Sequence, residues 1–496
     1  MERGKALVVV VIAALAMLAG AASGHAAPQR AYVPATLLAQ AAASPAAQFQ
    51  VIVQGDKAVH SSDVAATVKA GNGRIKRAFR SIDGAAATIS GAALLKLATS
   101  PHIVAITPDA RIGTASGPDD SQGWPTSTDL APLSGAAGAT TRSPAIAIID
   151  SGVDPASTPN LVASVDLSSL TPDATGDDEG HGTMVAGVAA DAAPTAPIVS
   201  VRVSDGVGQS LSSDVIAACD WVLAHKAEYD IGVANLSLVE TGVSTFRYNP
   251  LDKAVESLWL NGVVVTTAAG NYGVGSALDT GHAPGNDPFV ITVGALDQNG
   301  TTDPADDTVA PWSAFGNTAD GFWKPELSAP GRYIVAPVPA GSYLARMEPD
   351  RVVAPGYMWM SGTSFAAPMV AGAASQILAL HPDWTPDQVK GALMVSAAAL
   401  PAVPGFAGGV GELDAARAAA VSSPPNPNAD LDAYLVSDAS GTHFDADAWN
   451  AAVATASDWS ASDWSASDWS ASDWSASDWS ASDWSASDWS ETSWLP

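Results

Sequence analysis

The sequence predicts an α/β protein built on a doubly wound, mostly parallel sheet, with a small α+β module before it and a repetitive tail after it. Three observations carry this. The apolar, β-rich runs PAIAII (144–149), PIVSVRV (197–203), IGVANLSL (231–238), GVVVTTAA (262–269) and FVITVGAL (289–296) alternate with helical stretches at 181–190, 212–226 and 250–261. Continuous apolar strands between helices read as a parallel sheet covered on both faces. Upstream, residues 48–112 run in the order β-α-β-β-α-β, a split βαβ sandwich. Downstream, one pentapeptide recurs.

The elements follow from local chemistry. Residues 1–27 carry Arg3 and Lys5, then an apolar run from Ala6, then small residues, the order of a cleaved secretory signal peptide. Residues 28–47, rich in Ala, Pro and Gln, read as a linker. QFQVIVQ (48–54) alternates like a strand, DVAATVKAGN (63–72) is helical, and IKRAFRSIDGAAATIS (75–90) reads as two strands about Asp83-Gly84. AALLKLATS (92–100) is a helix and HIVAITPDARI (102–112) a strand. Further helices are expected at 364–380 and 385–397, the second opened by the capping box of Thr385 and Gln388 with Pro386 at its first position. SSPPNPN opens a Pro/Asp-rich linker over 421–456, and the SDWSA repeats fill 457–496.

Charge is divided unevenly. Residues 48–115 hold eight Lys/Arg against four Asp/Glu, while the whole chain carries −29. Residues 1–47 add +2, which leaves −35 for 116–496. The acidic part repels nucleic acid and anionic membrane, and the basic module has an acidic partner within the same chain. The one cysteine, Cys219, permits no intrachain disulfide and sits in a helical pattern as a buried structural residue.

Three motifs hold groups suited to acyl transfer. AIAIIDSGVD (145–154) ends a buried strand on Asp150, at the carboxyl edge where open α/β sheets collect their sites. DDEGHGTMVAGVAA (177–190) places His181 at a helix start. SGTSFAAPMVAGAA (361–374) places Ser364 where a turn becomes a helix, whose unpaired N–H groups can stabilise an oxyanion. Its small residues let that helix lie in the core, and Pro368 falls in the first turn. Taken singly, each residue has an ordinary explanation: a turn aspartate, a capping histidine, an N-cap serine.

Together, in the order Asp…His…Ser, DSGV, HGTMVAG and SGTSFAAP resemble the three signatures of the subtilisin-like serine peptidases. VVVTTAAGNYG (263–273) resembles the family's oxyanion segment. The resemblance covers roughly residues 117–420. It implies a secreted endopeptidase with Asp150, His181 and Ser364 as catalytic residues and Asn271 as oxyanion donor. It implies that 48–112 is an inhibitory, chaperoning propeptide and 113–420 the peptidase domain. Protein or peptide substrates would add a strand beside ANLSLVE (234–240), with Leu238, Val239, Ala268, Ala269 and Gly270 at the first pocket. Val239 stands where the family usually has glycine and is expected to narrow that pocket or block backbone approach. No cofactor is required. The family's usual calcium loop has no counterpart in VAADAAPTAPIVSVRV (188–203), and the acids of 303–307 read as a solvated loop before they read as a calcium site.

The tail has period five, which fits neither helix nor strand, and carries seven Asp and one Glu. An acidic disordered tail, adhesive tryptophan contacts to polymer, glycan or the cell envelope, and a pentapeptide β-helix all remain open. The rival to a secreted peptidase is a surface-adhesion protein carrying an incidental or inactive peptidase domain.

Overall fold

A computed structural model describes residues 31–56, 58–109, 111–114, 142–273, 280–299, 304–403, 405–438 and 441–455. The expected signal peptide (1–27), the SDWSA repeats (457–496) and Asp303 lie outside these.

The upstream module runs α1 (Ala35–Ala43), β1 (Gln48–Gly55), α2 (Ser61–Ala70), β2 (Arg74–Phe79), β3 (Gly84–Ser90), α3 (Gly91–Leu97) and β4 (Ile103–Pro108). From β1 onward the order is the expected β-α-β-β-α-β. The four strands form one antiparallel sheet in the order β2-β3-β1-β4. Strand alternation divides its apolar residues between two cores. Val51, Val53, Ala85 and Ala87 face the module's own interior. Ile52, Phe79, Ile82 and Ala86 join the core of the large domain. Residues 28–47 depart from the expected linker. Tyr32 bridges to Ala105, and Leu37 and Ala41 of α1 are buried in the module's core. The polar and small residues that suggest a linker leave these apolar positions on one helix face, and tertiary burial recruits them.

The chain then crosses to the large domain. A short strand, β5 (Arg111–Thr114), precedes β6 (Ala145–Asp150), β7 (Leu161–Asp166), α4 (His181–Ala192), β8 (Ile198–Arg202), β9 (Gln209–Leu211), α5 (Ser212–Tyr229), β10 (Ile231–Leu236), β11 (Leu238–Glu240), α6 (Pro250–Leu260), β12 (Val264–Ala268), β13 (Ile291–Asp297) and β14 (Thr308–Val309). The main sheet has the order β14-β13-β12-β10-β6-β8-β7, and Leu327–Pro330 also pairs with β13. All pairs are parallel except β13 with β14. Every residue of β6, β8 and β12 is buried, so both faces are covered, as the apolar runs predict. Helix Thr363–Leu380 packs on α4, and α5 packs on α6. At Gly372 a Cβ would lie 2.4 Å from that of Ala192, so the small residues of this helix set its close approach to α4. The helix is apolar and long enough to cross a bilayer, yet its apolar window is 83% buried inside the domain.

Residues 421–456 also depart from the expected linker. They contain a short helix (Ala429–Asp432), a hairpin (Leu435–Asp438 with Gly441–Phe444) and a helix (Ala446–Thr455). Phe444 and Trp449 are buried against Phe246, Phe289 and Phe322, with ring centroids 5.4–6.0 Å apart for the pairs Phe246–Phe444, Phe246–Trp449, Phe289–Phe444 and Phe322–Trp449. Two aromatics outweigh the proline-rich composition before them.

Candidate active site

Asp150 is the last residue of the central strand β6, which lies between β8 and β10. His181 is the first residue of α4. The two side chains meet: His181 Nδ1 is 2.7 Å from Asp150 Oδ1, and both are buried. Asp150 Oδ1 also accepts from the Ser151 N–H at 2.8 Å. Glycine at 182 permits the approach, because a Cβ there would lie 2.2 Å from the Gly152 carbonyl oxygen and 3.1 Å from Asp150 Oδ1. Burial pushes the imidazole pKa down. Charge and hydrogen bonding from Asp150, with Glu179 and Asp177, override that and push it up to about 9. Burial pushes Glu179 up to about 8.

Ser364 lies in the first turn of helix Thr363–Leu380. Its neighbour Phe365 places a ring 5.6 Å from the His181 ring, so the serine-bearing helix start and the histidine-bearing one converge. Ser364 Oγ donates to the Ser237 carbonyl at 3.4 Å, and His181 Nε2 has no hydrogen-bond partner among the described residues. The direct serine–histidine hydrogen bond is therefore not formed in this state. Ser237, at the bend between β10 and β11, fixes the helix start by donating from Oγ to the Ser364 carbonyl at 2.8 Å. Asn235 Nδ2 donates to Ser237 Oγ, and Thr266 Oγ1 to Asn235 Oδ1, so a buried polar chain runs from the sheet to the serine.

Asn271 follows β12. Its Oδ1 accepts from the Thr363 N–H at 2.9 Å and from Thr363 Oγ1 at 3.0 Å, and Thr363 Oγ1 accepts from the Gly270 N–H at 3.1 Å. Because the Thr363 N–H can only donate, the amide oxygen must face it, which fixes the side chain's orientation. Asn271 Nδ2 is then left buried, with no partner among the described residues. Leu238, Val239, Ala268 and Ala269 are all buried, and Gly270 has φ +103°. Val239 and Ala268 form a small apolar cluster of their own.

β5 lies between β9 and β11 as the middle of a three-stranded antiparallel sheet, with Leu238 opposite Thr114, Val239 opposite Gly113 and Glu240 opposite Ile112. Val239 thus does not block backbone approach, because a strand pairs directly with it; that part of the expectation is overturned. A glycine, Gly113, stands opposite it in the register.

The upstream module docks on α5. The Ser213 N–H donates to Asp109 Oδ1 at 2.8 Å, Lys76 Nζ to Ser213 Oγ at 2.9 Å, and the Arg80 and Ser81 N–H groups to Asp220. Arg77 lies 3.7 Å from Asp214. Cys219 is fully buried in α5, and burial pushes its thiol pKa up, consistent with an inert structural residue.

After Ala192 the chain reaches β8 in five residues. Among the described residues no group of three or more His, Cys, Asp or Glu is arranged to hold a metal ion. Sequence reasoning missed Ser151, Asp177, Thr183, Ser237 and Thr363. Ser151, Asp177, Thr183 and Thr363 lie within the motifs that hold Asp150, His181 and Ser364, and Ser237 within ANLSLVE (234–240), but short hydroxyls and one extra acid are too common in turns to stand out.

The profile of the subtilase family, Peptidase_S8, matches residues 141–427, more than half of the chain. The chain belongs to the subtilase family. Subtilisin E of Bacillus subtilis (strain 168) is 30% identical over 71% of this chain and 86% of its own length. Serine protease AprX of the same organism is 38% identical over 43% of this chain, and the match spans 52% of AprX, about half its length. The crystal structure of fervidolysin from Fervidobacterium pennivorans, described as a keratinolytic enzyme related to subtilisin, has the same fold. Its TM-score is 0.58 at 23% identity, over 76% of this subtilase and 62% of fervidolysin. Membership supports serine-type endopeptidase activity and export at the level of the family.

Proposed function

We propose that this subtilase is a secreted serine endopeptidase made as a self-inhibited precursor, with Asp150, His181 and Ser364 as its catalytic residues. The observation that carries the reading is the buried 2.7 Å contact between Asp150 and His181 beside a serine-bearing helix start, with the far imidazole nitrogen unpaired. Ser364 exchanges its long contact to the Ser237 carbonyl for one to His181 Nε2. It attacks a peptide carbonyl as His181 takes its proton. Asp150 holds the imidazole's tautomer and stabilises its cation. The oxyanion takes hydrogen bonds from Asn271 Nδ2 and the Ser364 N–H. His181 returns the proton to the leaving amine, and water then releases the acyl-enzyme. These steps run on side chains and backbone alone, without a cofactor.

The self-inhibited state rests on β5. Residues 111–114 occupy the place between β9 and β11 where an extended substrate would add a strand, and they join directly to the module docked on α5. The substrates are protein or peptide chains, and the module's own segment is the first of them.

The test is Ser364→Ala. The variant is expected to have no peptidase activity on casein and to keep the 48–112 module covalently attached. Wild type is expected to take a phosphonofluoridate label on Ser364 and to acquire a new N-terminus soon after Thr114. Wild-type turnover by the variant would end the assignment.

A further inference from the structure

Asp177, to which the motif reading assigns no role, joins the two loops that hold the Asp150–His181 contact. It is buried and accepts four hydrogen bonds. Oδ1 receives Ser151 Oγ and the Gly180 N–H, each at 2.8 Å. Oδ2 receives the Thr183 N–H at 2.8 Å and Thr183 Oγ1 at 2.7 Å. Ser151 Oγ in turn accepts from the Gly182 N–H at 2.8 Å, and Thr183 Oγ1 from the Asp154 N–H at 3.0 Å. The ring is closed: Ser151 belongs to the turn after Asp150, while Gly180, Gly182 and Thr183 bracket His181. Gly180, the cap residue of α4, has no side chain to satisfy the helix's first N–H groups, so Asp177 does this from outside the helix. Four donors and no acceptor face the carboxylate. Burial pushes the Asp177 carboxyl pKa up, and the hydrogen bonds from Gly180, Thr183 and Ser151 pull against it; the ionised form fits the arrangement, since a proton would displace one of the donors.

We propose that Asp177 is a positioning residue that clamps the turn carrying Asp150 to the helix start carrying His181 and so sets the contact between them. The proposal rests on the catalytic reading given above. Its effect has two parts. The clamp fixes distance and angle, and small misplacements in a site cost rate steeply. The charge acts on the imidazole as well. The groups facing His181 are Asp150 from β6, Asp177 and Glu179 from the loop before α4, and the uncharged Phe365 from the serine helix. Removing the Asp177 charge disfavours the imidazolium, so the acid limb of kcat/KM moves to lower pH. A residue that only stabilised the fold would change the amount of active enzyme and leave that limb in place.

The experiment uses mature enzyme, with active sites counted by phosphonofluoridate titration of Ser364. Asp177→Asn is expected to lower kcat per titrated site by about 10²-fold, to leave KM within about twofold, and to move the acid limb to lower pH. Ser151→Ala keeps the charge and removes one strut. It is expected to lower kcat by about tenfold with the limb unmoved. Thr183→Val should behave like Ser151→Ala, and Thr183→Ser should restore the wild-type rate. Asp177→Asn with wild-type kcat and limb would overturn the proposal. If that variant does not fold, wild-type kcat in both Ser151→Ala and Thr183→Val overturns it. Wild type that takes no label on Ser364 sinks the catalytic reading itself, and the proposal falls with it. A labelled wild type beside an unaffected Asp177→Asn sinks the proposal alone.

Discussion

The two halves of the site are built on opposite plans. Asp150 and His181 are held by a closed ring of hydrogen bonds through Ser151, Asp177 and Thr183. Ser364 and Asn271 are anchored through Ser237 and Thr363, while Asn271 Nδ2 is buried with no partner among the described residues. A buried, unsatisfied polar group costs about 1–3 kcal/mol. On the proposed reading, the ring holds the proton-handling half in place, and the unpaired amide of the oxyanion half finds its partner in the substrate.

That contrast can be broken most severely at Ser364, where alanine is expected to remove all turnover. Next is Asn271→Ala. It should lower kcat by about 10²–10³ with little change in KM, a range known for oxyanion donors in this family and not calculated from this geometry. Steady-state kinetics on a peptide amide would check it, and a loss confined to KM would recast Asn271 as a binding residue. Val239→Gly has a smaller effect. It removes the branched side chain beside Ala268 and should raise kcat/KM for large residues before the scissile bond, relative to alanine, by about tenfold or more. An unchanged preference across a peptide library would remove Val239 from the pocket.

The smallest effect concerns the docked module. Ile52, Phe79 and Ile82 are buried in the shared core, and each such side chain contributes about 1.5–3 kcal/mol. The partly exposed Arg77–Asp214 pair is worth far less. Inhibition in trans by residues 31–114 should therefore weaken only a few-fold between low and high salt, chiefly through slower association. A loss of several orders of magnitude in a salt titration would mean that charge, and not apolar burial, holds the module in place.

Much of this is legible locally. Each apolar run forms a strand and each periodic stretch a helix, because period and end-capping residues act within a few positions of one another. The capping box at Thr385 and Gln388 forms as its spacing predicts. The linker readings at 28–47 and 421–456 fail because composition averages over a segment. Leu37, Ala41, Phe444 and Trp449 are few, and their weight comes from partners more than a hundred residues away in the case of the last two. Val239 reads as an obstruction because the glycine opposite it, Gly113, lies in another segment.

The sequence by itself determined the alternating strands and helices, the charge division and the chemical identity of the reactive groups, since these depend on residue type and short-range spacing. Only the tertiary structure decided which strand lies between β9 and β11, which face of the upstream sheet docks, and that Asp177 closes a ring around the Asp150–His181 pair. Those outcomes turn on burial and register between distant segments, where the free energy of a contact depends on a neighbour that the local pattern does not contain.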